Sequence, residues 1–213
     1  MKYYFKNTGS DSLIVFFAGW GCDENQFVNL KDADNVLILY DYQDFDLDFD
    51  FSPYQKVDVI AYSAGVFVAS VFKPDFRISK KVAINGNPYL FDEKLGLKAR
   101  LIDEFRAINL DNYLEFRRKY MVESDEEYQK YNQLQSLRSI ESCMAELDAL
   151  QKLYAEYKVN IVIDFDKVIL SDNDVLFDLS AQKHFYDCPI KIVPDSKHHL
   201  FFKFSSFREI LEY

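Results

Sequence analysis

The sequence has few cysteines, and none of them form a pair at the spacing of a metal-binding or redox motif. Cys22, Cys143 and Cys188 lie far apart, and no CxxC pair is present. An odd number of cysteines at unrelated spacings is not the pattern of a disulfide framework or a zinc site. We therefore expect three free thiols and no structural metal.

Long apolar runs and clustered positive charge are missing as well. No run approaches the roughly 20 apolar residues of a membrane-spanning helix, and the first residues, MKYYFKNTGSDS, lack the apolar centre and cleavage site of a signal peptide. Lysine and arginine number 25 against 35 for aspartate and glutamate, which argues against a nucleic-acid-binding protein. We expect a cytoplasmic protein without membrane or nucleic-acid partners.

The sequence does contain a series of short apolar runs, each followed by a turn signal. These runs do not alternate between polar and apolar residues, which is typical of strands buried on both faces of a parallel sheet. They cover residues 13–17, 36–40, 57–61, 82–84, 168–170 and 190–193. Short helices are expected at residues 23–30 and 64–72. The pattern predicts an α/β fold, with a mostly parallel central sheet flanked by helices.

Two segments depart from this rhythm of strands. Residues 41–53 alternate acidic and aromatic side chains, which we interpret as a crossing loop, with an edge strand as the alternative. Residues 92–158 contain no proline and only one glycine, and their apolar residues recur at helical spacing. We expect this second segment to be a helical insertion into an α/β core made of residues 1–91 and 159–213.

A serine stands at the joint between one predicted strand and the helix after it. In the stretch Ala61-Tyr62-Ser63-Ala64-Gly65, small residues flank Ser63. The stretch resembles the nucleophile elbow G-x-S-x-G, with alanine in place of the first glycine, in which the chain turns too sharply for larger side chains. Ser63 is therefore a candidate nucleophile, and the alternative is a capping serine at an ordinary helix start.

A serine nucleophile needs a base to take its proton and a carboxylate to orient that base. Asp172 and Asp174 follow the strand predicted at 168–170, and His198 and His199 follow the one at 190–193. Both pairs therefore lie where open parallel sheets place their sites, in the order serine, aspartate, histidine that is typical of α/β-hydrolases.

The spacing favours one residue of each pair. Asp174 lies three residues after the small Ser171, as in the acid loops of hydrolases, and is preferred to Asp172, although turn carboxylates are common. His198 is preferred to His199 because the residues after it resemble those after a catalytic histidine. The third histidine, His184, falls in a predicted helix and is interpreted as structural.

Backbone amides are the expected donors to an oxyanion. One would come from Ala64, the residue after the candidate nucleophile, and the other from the loop after the first predicted strand. That loop, Ala18-Gly19-Trp20-Gly21, contains glycines that allow close approach of a substrate, and by position Trp20 supplies the second amide. A plain strand-to-helix turn is the alternative for this loop.

Several of these segments together resemble a known family. FFAGWG, LYDYQDFDLDFD, AYSAG, AINGNPYLFDEKLG, SDNDVLF and HHLFFKF are similar, in this order and over essentially the whole chain, to BioG-type pimeloyl-[acyl-carrier-protein] methyl ester esterases of biotin synthesis. The resemblance implies an α/β-hydrolase fold in which residues 92–158 form a lid. It also implies removal of the methyl group from the pimeloyl ester, as methanol, without a cofactor or metal.

Carried over by position, the resemblance implies a role for each residue of the site. Ser63 would be the nucleophile, Asp174 the acid and His198 the base, with Trp20 and Ala64 forming the oxyanion hole. The sequence departs from the family pattern at two places outside this set. Asn87 stands where a threonine is expected, and Leu200 stands where a proline is expected.

The resemblance also implies an acyl carrier protein as the partner. Carrier proteins are strongly acidic, so an acidic enzyme needs a local basic patch to bind one. The predicted insertion contains such residues, and the alternative is a solvated helical face with i,i+4 ion pairs. The candidates for docking are Arg100, Arg106, Arg117, Arg118, Lys119 and Arg138.

Two other functions stay open at this point, because neither a fold nor a triad fixes a substrate. One is a hydrolase of the same fold that acts on another small ester or thioester. The other is a non-catalytic acyl-binding protein on the same scaffold. Turnover of free short esters without preference for a carrier-bound one would favour the first, and covalent labelling by a fluorophosphonate would exclude the second.

Overall fold

The computed structural model describes residues 1–109 and 111–213 and has a seven-stranded sheet at its centre. The strands lie in the order β1-β3-β2-β4-β5-β6-β7, and all neighbours are parallel except β1, which is antiparallel to β3. They are β1 (Lys2–Lys6), β2 (Ser12–Phe17), β3 (Asn35–Tyr40), β4 (Lys56–Tyr62), β5 (Ile78–Ile84), β6 (Lys167–Ser171) and β7 (Ile190–Val193). The predicted fold class and all six predicted strands are confirmed.

The unbroken apolar runs follow from burial on both faces of the sheet. On β2, Leu13, Val15 and Phe17 belong to the core on one face, whereas Ile14 and Phe16 belong to the core on the other. All five side chains are almost completely buried. Successive side chains of a strand point to opposite faces, so every position of such a strand must be apolar.

The sequence did not predict β1, and its composition gives the reason. The strand reads KYYFK, with both tyrosines exposed, and lies at the edge of the sheet beside β3. Its charged ends are a usual protection of an edge strand against pairing with other chains. An exposed edge strand carries no apolar run, which was the signal used for the other six strands.

Within the residues that the structure describes, seven α-helices accompany the sheet. They are α1 (Ala64–Val71), α2 (Ala99–Arg106), α3 (Tyr113–Tyr120), α4 (Asp125–Gln133), α5 (Ile140–Tyr157), α6 (Leu179–Phe185) and α7 (Phe207–Glu212). Helices α2 to α5 lie between β5 and β6, within residues 92–158. That they act as a lid over a core of residues 1–91 and 159–213 remains a prediction. None of the helices in the described residues is both long and apolar enough to cross a membrane.

Two connecting segments test the local predictions. The helix expected at 23–30 is shorter than predicted, a 3₁₀ helix at Glu24–Phe27, which begins where the Asp23 carboxylate accepts a hydrogen bond from the amide of Asn25. Residues 41–53 contain neither helix nor strand, which confirms the loop interpretation. The aromatic residues of this loop pack against the core, with Phe51 buried. Apolar contacts therefore fix the loop. Its acidic residues from Asp44 to Asp50 remain at the surface, whereas Asp41 is buried.

The parallel arrangement determines where polar residues meet. β2, β4, β6 and β7 all end at the same edge of the sheet, so the loops after them converge there. These four loops contain Trp20, Ser63, Asp174 and His198, which the sequence singled out.

Candidate active site

Ser63 lies in a strained turn between β4 and α1. Its backbone has φ 56° and ψ −123°, a conformation that a residue with a side chain rarely adopts. The chain can turn here because its neighbours are small: a Cβ atom on Gly65 would overlap the carbonyl oxygen of Phe17, and one on Gly86 would contact the backbone of Ser63. The turn presents the Ser63 hydroxyl at the carboxyl edge of the sheet.

The Ser63 hydroxyl begins a chain of hydrogen bonds through a histidine to an aspartate. The Oγ atom of Ser63 lies 2.8 Å from Nε2 of His198, and Nδ1 of His198 lies 2.9 Å from Oδ2 of Asp174. A carboxylate can only accept, so the Nδ1 nitrogen donates to Asp174 and Nε2 accepts from the serine. This protonation leaves the histidine able to take the serine proton.

The acid side of this chain of hydrogen bonds is held by the loop after β6. The other oxygen of Asp174, Oδ1, accepts a hydrogen bond from the amide of Leu176 at 2.9 Å. The Asp174 and His198 side chains are both almost completely buried. A buried acceptor that is bonded on both oxygens holds a fixed orientation, and it therefore fixes the imidazole ring beside it.

The alternative candidates have other contacts. Asp172 accepts hydrogen bonds from the amides of Asp195 and Ser196, both at 3.1 Å, and so connects the loops after β6 and β7. His184 is exposed on α6 and contacts the carbonyl oxygen of Ser180. Neither residue is placed beside Ser63.

His199 is buried next to His198 but faces an aromatic cluster. Its ring lies 4.8 Å from that of Tyr131 and 5.2 Å from that of Phe201, and neither ring nitrogen has a hydrogen-bond partner in the described residues. Burial, together with the neighbouring His198, lowers the pKa of His199 to about 3. His199 is therefore a neutral core residue at physiological pH.

Two supports of the histidine loop were not identified from the sequence. The side-chain amide of Asn85, which follows β5 with φ 41°, donates to the carbonyl oxygen of His198 at 2.8 Å and to the hydroxyl of Ser171 at 2.7 Å. The amides of His198 and His199 donate to the carbonyl oxygens of Tyr120 and Met121 at the end of α3. The inserted helices thus contact the site directly.

The candidate oxyanion loop lies against the serine turn. A Cβ atom on Gly19 would lie 3.1 Å from the Cβ of Ser63, so the loop after β2 packs closely against the Ser63 side chain. Ala64 is the first residue of α1, where an amide has no carbonyl partner within the helix. The indole of Trp20 stacks on Phe105 at 5.0 Å and donates to the carbonyl oxygen of Cys143 at 2.6 Å.

A buried ion cluster, also missed by the sequence analysis, anchors this loop. The carboxylate of Glu146 on α5 accepts hydrogen bonds from the amides of Gly21 at 2.9 Å and Tyr42 at 3.0 Å. Arg138 donates to Glu146 at 2.6 Å and to Asp41 at 2.7 Å. Burial raises the pKa of Glu146, while Arg138 and the two amides oppose that shift. The cluster joins the inserted helices to the loop of Trp20.

The structure corrects two of the six docking candidates. Arg138 is buried in this ion cluster, and Arg117 is only 2 % exposed, so neither can contact the surface of a carrier protein. Arg100, Arg106, Arg118 and Lys119 are exposed, and each pairs with a nearby acidic residue on the inserted helices. Arg117 is buried because it lies on the inner side of α3, and Arg138 is buried in the segment before α5. The number of basic residues in the sequence does not reveal which of them are buried.

An apolar pocket opens above Ser63. It has an empty volume of about 820 Å³, part of which is open to solvent, and residues from the sheet edge and from the inserted helices line it. Its polar lining includes Ser63, His198, Arg117 and Arg138. The apolar walls are supplied by Leu97, Phe105, Ile108, Phe116, Met121 and Met144. Its size suits a small acyl chain. Within residues 1–109 and 111–213, no group of three His, Cys, Asp or Glu side chains is arranged to hold a metal ion.

The sheet topology and the position of the site at its carboxyl edge define an α/β-hydrolase fold. Solved structures of that class are similar to this chain over nearly its whole length, for example MenH from S. aureus, with 15% identity, a TM-score of 0.63 and coverage of 99% of this chain and 96% of that one. A family model described as pimeloyl-ACP methyl esterase BioG matches residues 1–210. The chain belongs to the BioG family.

Two further proteins are similar to this chain. The crystal structure of BioG from Haemophilus influenzae has a TM-score of 0.88 and 26% identity, and the match covers 99% of this chain and 100% of that one. A malonyl-[acyl-carrier protein] O-methyltransferase from Bacteroides fragilis is 32% identical over 169 residues, which are 77% of this chain and 34% of that protein. The chain thus spans about a third of the length of this curated relative.

Proposed function

We propose that this protein is a serine esterase that hydrolyses the methyl ester of a pimeloyl group carried by acyl carrier protein. The observation that carries the proposal is the chain of hydrogen bonds from Ser63 through His198 to Asp174 at the wall of an apolar pocket. Membership of the BioG family supports the choice of substrate.

The proposed reaction proceeds in two acyl-transfer steps. His198 takes the proton of Ser63 as its hydroxyl attacks the ester carbonyl carbon, and the resulting tetrahedral oxyanion collapses with loss of methanol, which receives that proton. Water then attacks the acyl-serine in the same way, with His198 again as base, and the free carboxylate leaves. Asp174 keeps the imidazole in the required orientation and stabilises its charged form in both steps.

The amides of Trp20 and Ala64 are the proposed donors to the oxyanion. Ala64 has the free first amide of a helix, and the loop of Trp20 lies against the serine turn. Donors of this type typically contribute about 3 kcal/mol each to the transition state, because they are oriented before the charge develops. The ion cluster around Glu146 holds the Trp20 loop in this position.

Carrier-protein binding is the part of the proposal that concerns the surface. Arg100, Arg106, Arg118 and Lys119 remain candidates for contacts with an acidic partner, since their side chains are exposed on α2 and α3. These two helices also contribute residues to the pocket, so a partner docked on them would present its acyl chain near the opening.

The name of the Bacteroides relative describes a different activity, the O-methylation of a malonyl group on acyl carrier protein. Methylation of a carboxyl oxygen forms a methyl ester, and an esterase hydrolyses one, so both names concern methyl esters on carrier proteins. About two thirds of that protein lie outside the match. This chain places a hydroxyl, an imidazole and a carboxylate in line, which supports acyl transfer.

Two measurements test this proposal. The purified protein should cleave the carrier-bound methyl ester with a higher kcat/KM than a free short methyl ester. A fluorophosphonate probe should label Ser63 and should not label Ser63→Ala. If Ser63 is labelled but kcat/KM is equal for the free and the carrier-bound ester, the protein is a hydrolase with another substrate. If Ser63 is not labelled and neither ester is hydrolysed, the protein is a binding protein.

A further inference from the structure

Arg117 on α3 is a buried cation that faces the pocket above Ser63. Its side chain lines the same cavity as Ser63 and His198 and is 2 % exposed. It donates hydrogen bonds to the side-chain oxygen of Gln135, at 2.9 Å, and to the hydroxyl of Tyr113. Both of these partners are uncharged. In the part of the chain that the structure describes, no aspartate or glutamate forms an ion pair with Arg117.

The other arginine of the pocket, Arg138, has acidic partners that Arg117 lacks among the described residues. It lines the same pocket, but its charge is neutralised by Glu146 and Asp41. A buried cation without a counter-charge is costly, since the low dielectric of the interior no longer solvates it. Ionisable groups kept in such an environment inside a cleft are candidates for binding a ligand.

The contacts of Arg117 hold it rigidly in place. Its guanidinium carbon lies 3.9 Å from the ring centroid of Tyr113 and 5.2 Å from that of Tyr131. Cation–π contacts of this kind stabilise a desolvated guanidinium without neutralising it. A guanidinium has five N–H donors, and the two hydrogen bonds to Gln135 and Tyr113 leave donors available. The group is thus oriented in advance for an oxygen acceptor.

Most of the other pocket-lining residues contributed by the inserted helices and the segments between them are apolar. Phe105, Ile108, Phe116 and Met121 are among them. The occupant that such a lining fits is an apolar chain with a reactive ester at Ser63 and one further oxygen acceptor elsewhere along it. A plain fatty acyl chain offers no acceptor for the N–H donors of Arg117 that Gln135 and Tyr113 do not use.

We propose that Arg117 binds a carbonyl or carboxylate oxygen at the end of the acyl chain remote from the scissile ester. The pocket therefore selects monoesters of dicarboxylic acids over esters of monocarboxylic acids. This inference rests on the proposed esterase function and adds to it the residue that determines this specificity. In a carrier-bound substrate the acceptor is the thioester carbonyl oxygen, and in a free monoester it is the carboxylate.

The test compares two small esters of equal chain length, monomethyl pimelate and methyl heptanoate. The wild type should prefer monomethyl pimelate in kcat/KM by about tenfold or more, as expected for a buried hydrogen bond to a charged group. In Arg117→Met the ratio of the two kcat/KM values should fall toward one. In Arg117→Lys the ratio should lie between the values of Arg117→Met and the wild type. Arg77→Met removes an exposed arginine that does not line the pocket, and it should keep the wild-type ratio.

The inference and the proposed function fail in different ways. Hydrolysis of both esters with the same ratio in wild type and Arg117→Met would overturn the role of Arg117 and leave the esterase intact. If neither ester is hydrolysed, binding of pimelate and heptanoate to Ser63→Ala by calorimetry decides the question. Tighter binding of pimelate that Arg117→Met abolishes would support the inference, and equal binding would overturn it. Thermal unfolding of each variant shows whether it is folded.

Discussion

The hydroxyl of Ser63 and the Nε2 atom of His198 lie 2.8 Å apart, although 135 residues separate them in the chain. Two parallel strands bring them together: β4 ends at the serine turn, and β7 ends just before the histidine loop. The inserted helices then fix the histidine, since α3 accepts the amide hydrogen bonds of His198 and His199. The candidate active site therefore depends on the sheet and on the insertion together.

The two adjacent histidines should differ sharply in their effect on activity. His198→Ala removes the proposed base and should lower kcat for ester hydrolysis by about 10⁴-fold or more. His199→Ala removes a neutral ring from an aromatic cluster and should lower stability while retaining most of kcat. Steady-state kinetics on a free ester measures both. The reverse order of effects would show that the base has been assigned to the wrong ring.

A similar pair of variants separates the two aspartates. Asp174→Asn should lower kcat by about 10⁴-fold, because an amide beside Nδ1 favours the wrong tautomer of His198. Asp172→Asn should weaken the link between the loops after β6 and β7 and lower the free energy of unfolding by about 1 kcal/mol. Kinetics and urea unfolding distinguish the two. A large loss of kcat in Asp172→Asn alone would contradict the assignment.

Glu146 should matter for both stability and catalysis. Glu146→Ala leaves Arg138 with one buried partner and two amides unpaired, and it should lower the free energy of unfolding by about 3–5 kcal/mol. Glu146→Gln keeps an oxygen acceptor and should lose less. In Glu146→Gln, kcat should fall more than KM rises, because the Trp20 loop loses its position. The control is Glu156→Gln, because Glu156 is exposed on the same helix. Equal losses of kcat in Glu146→Gln and Glu156→Gln would contradict the anchoring role of Glu146.

The buried His199 should make the protein sensitive to acid. Its pKa is about 3 in the folded chain against an ordinary value of 6.5, so between these values the unfolded chain binds a proton that the folded chain does not. Stability should therefore fall as pH falls from about 6.5 toward 3, by up to about 1.4 kcal/mol per pH unit from this group. Urea unfolding at several pH values should show a shallower loss in His199→Leu. The control is His184→Leu. If stability falls with pH as steeply in His199→Leu as in the wild type, His199 is ruled out as the cause.

The exposed basic residues should act on the carrier-bound substrate. The double variant Arg118→Glu, Lys119→Glu should lower the ratio of kcat/KM for the carrier-bound ester to that for a free ester by about three- to tenfold, and added salt should diminish the difference. Lys73→Glu, beyond the end of α1 remote from Ser63, is the control. An unchanged ratio in the double variant would place the docking surface elsewhere.

The sequence predicted the parts of this structure that local patterns determine. Residues 13–17 are apolar at every position because both faces of the sheet are covered, and the turn at Ser63 needs small neighbours. The preference for Asp174 over Asp172 came from spacing, and the structure places Asp174 beside His198. Its catalytic role remains a prediction.

The parts that the sequence missed depend on contacts between distant segments. Arg117 and Arg118 are neighbours in the chain, yet one is 2 % exposed and the other has a side chain that is 62 % exposed. In the sequence, Glu146 cannot be distinguished from other acidic residues of its helix. Only the fold places its carboxylate beside the amides of Gly21 and Tyr42. β1 was missed because an exposed edge strand has no apolar run.

The most direct test of the proposed reaction is the mass of the carrier protein. Pimeloyl-carrier-protein methyl ester should be incubated with the wild type and with Ser63→Ala, and the carrier should then be measured by mass spectrometry. We expect the wild type to remove one methyl group and leave the thioester intact, and Ser63→Ala to leave the mass unchanged. A carrier that keeps its methyl group with the wild type, while the same enzyme cleaves a simple aryl ester through Ser63, would contradict the proposed substrate.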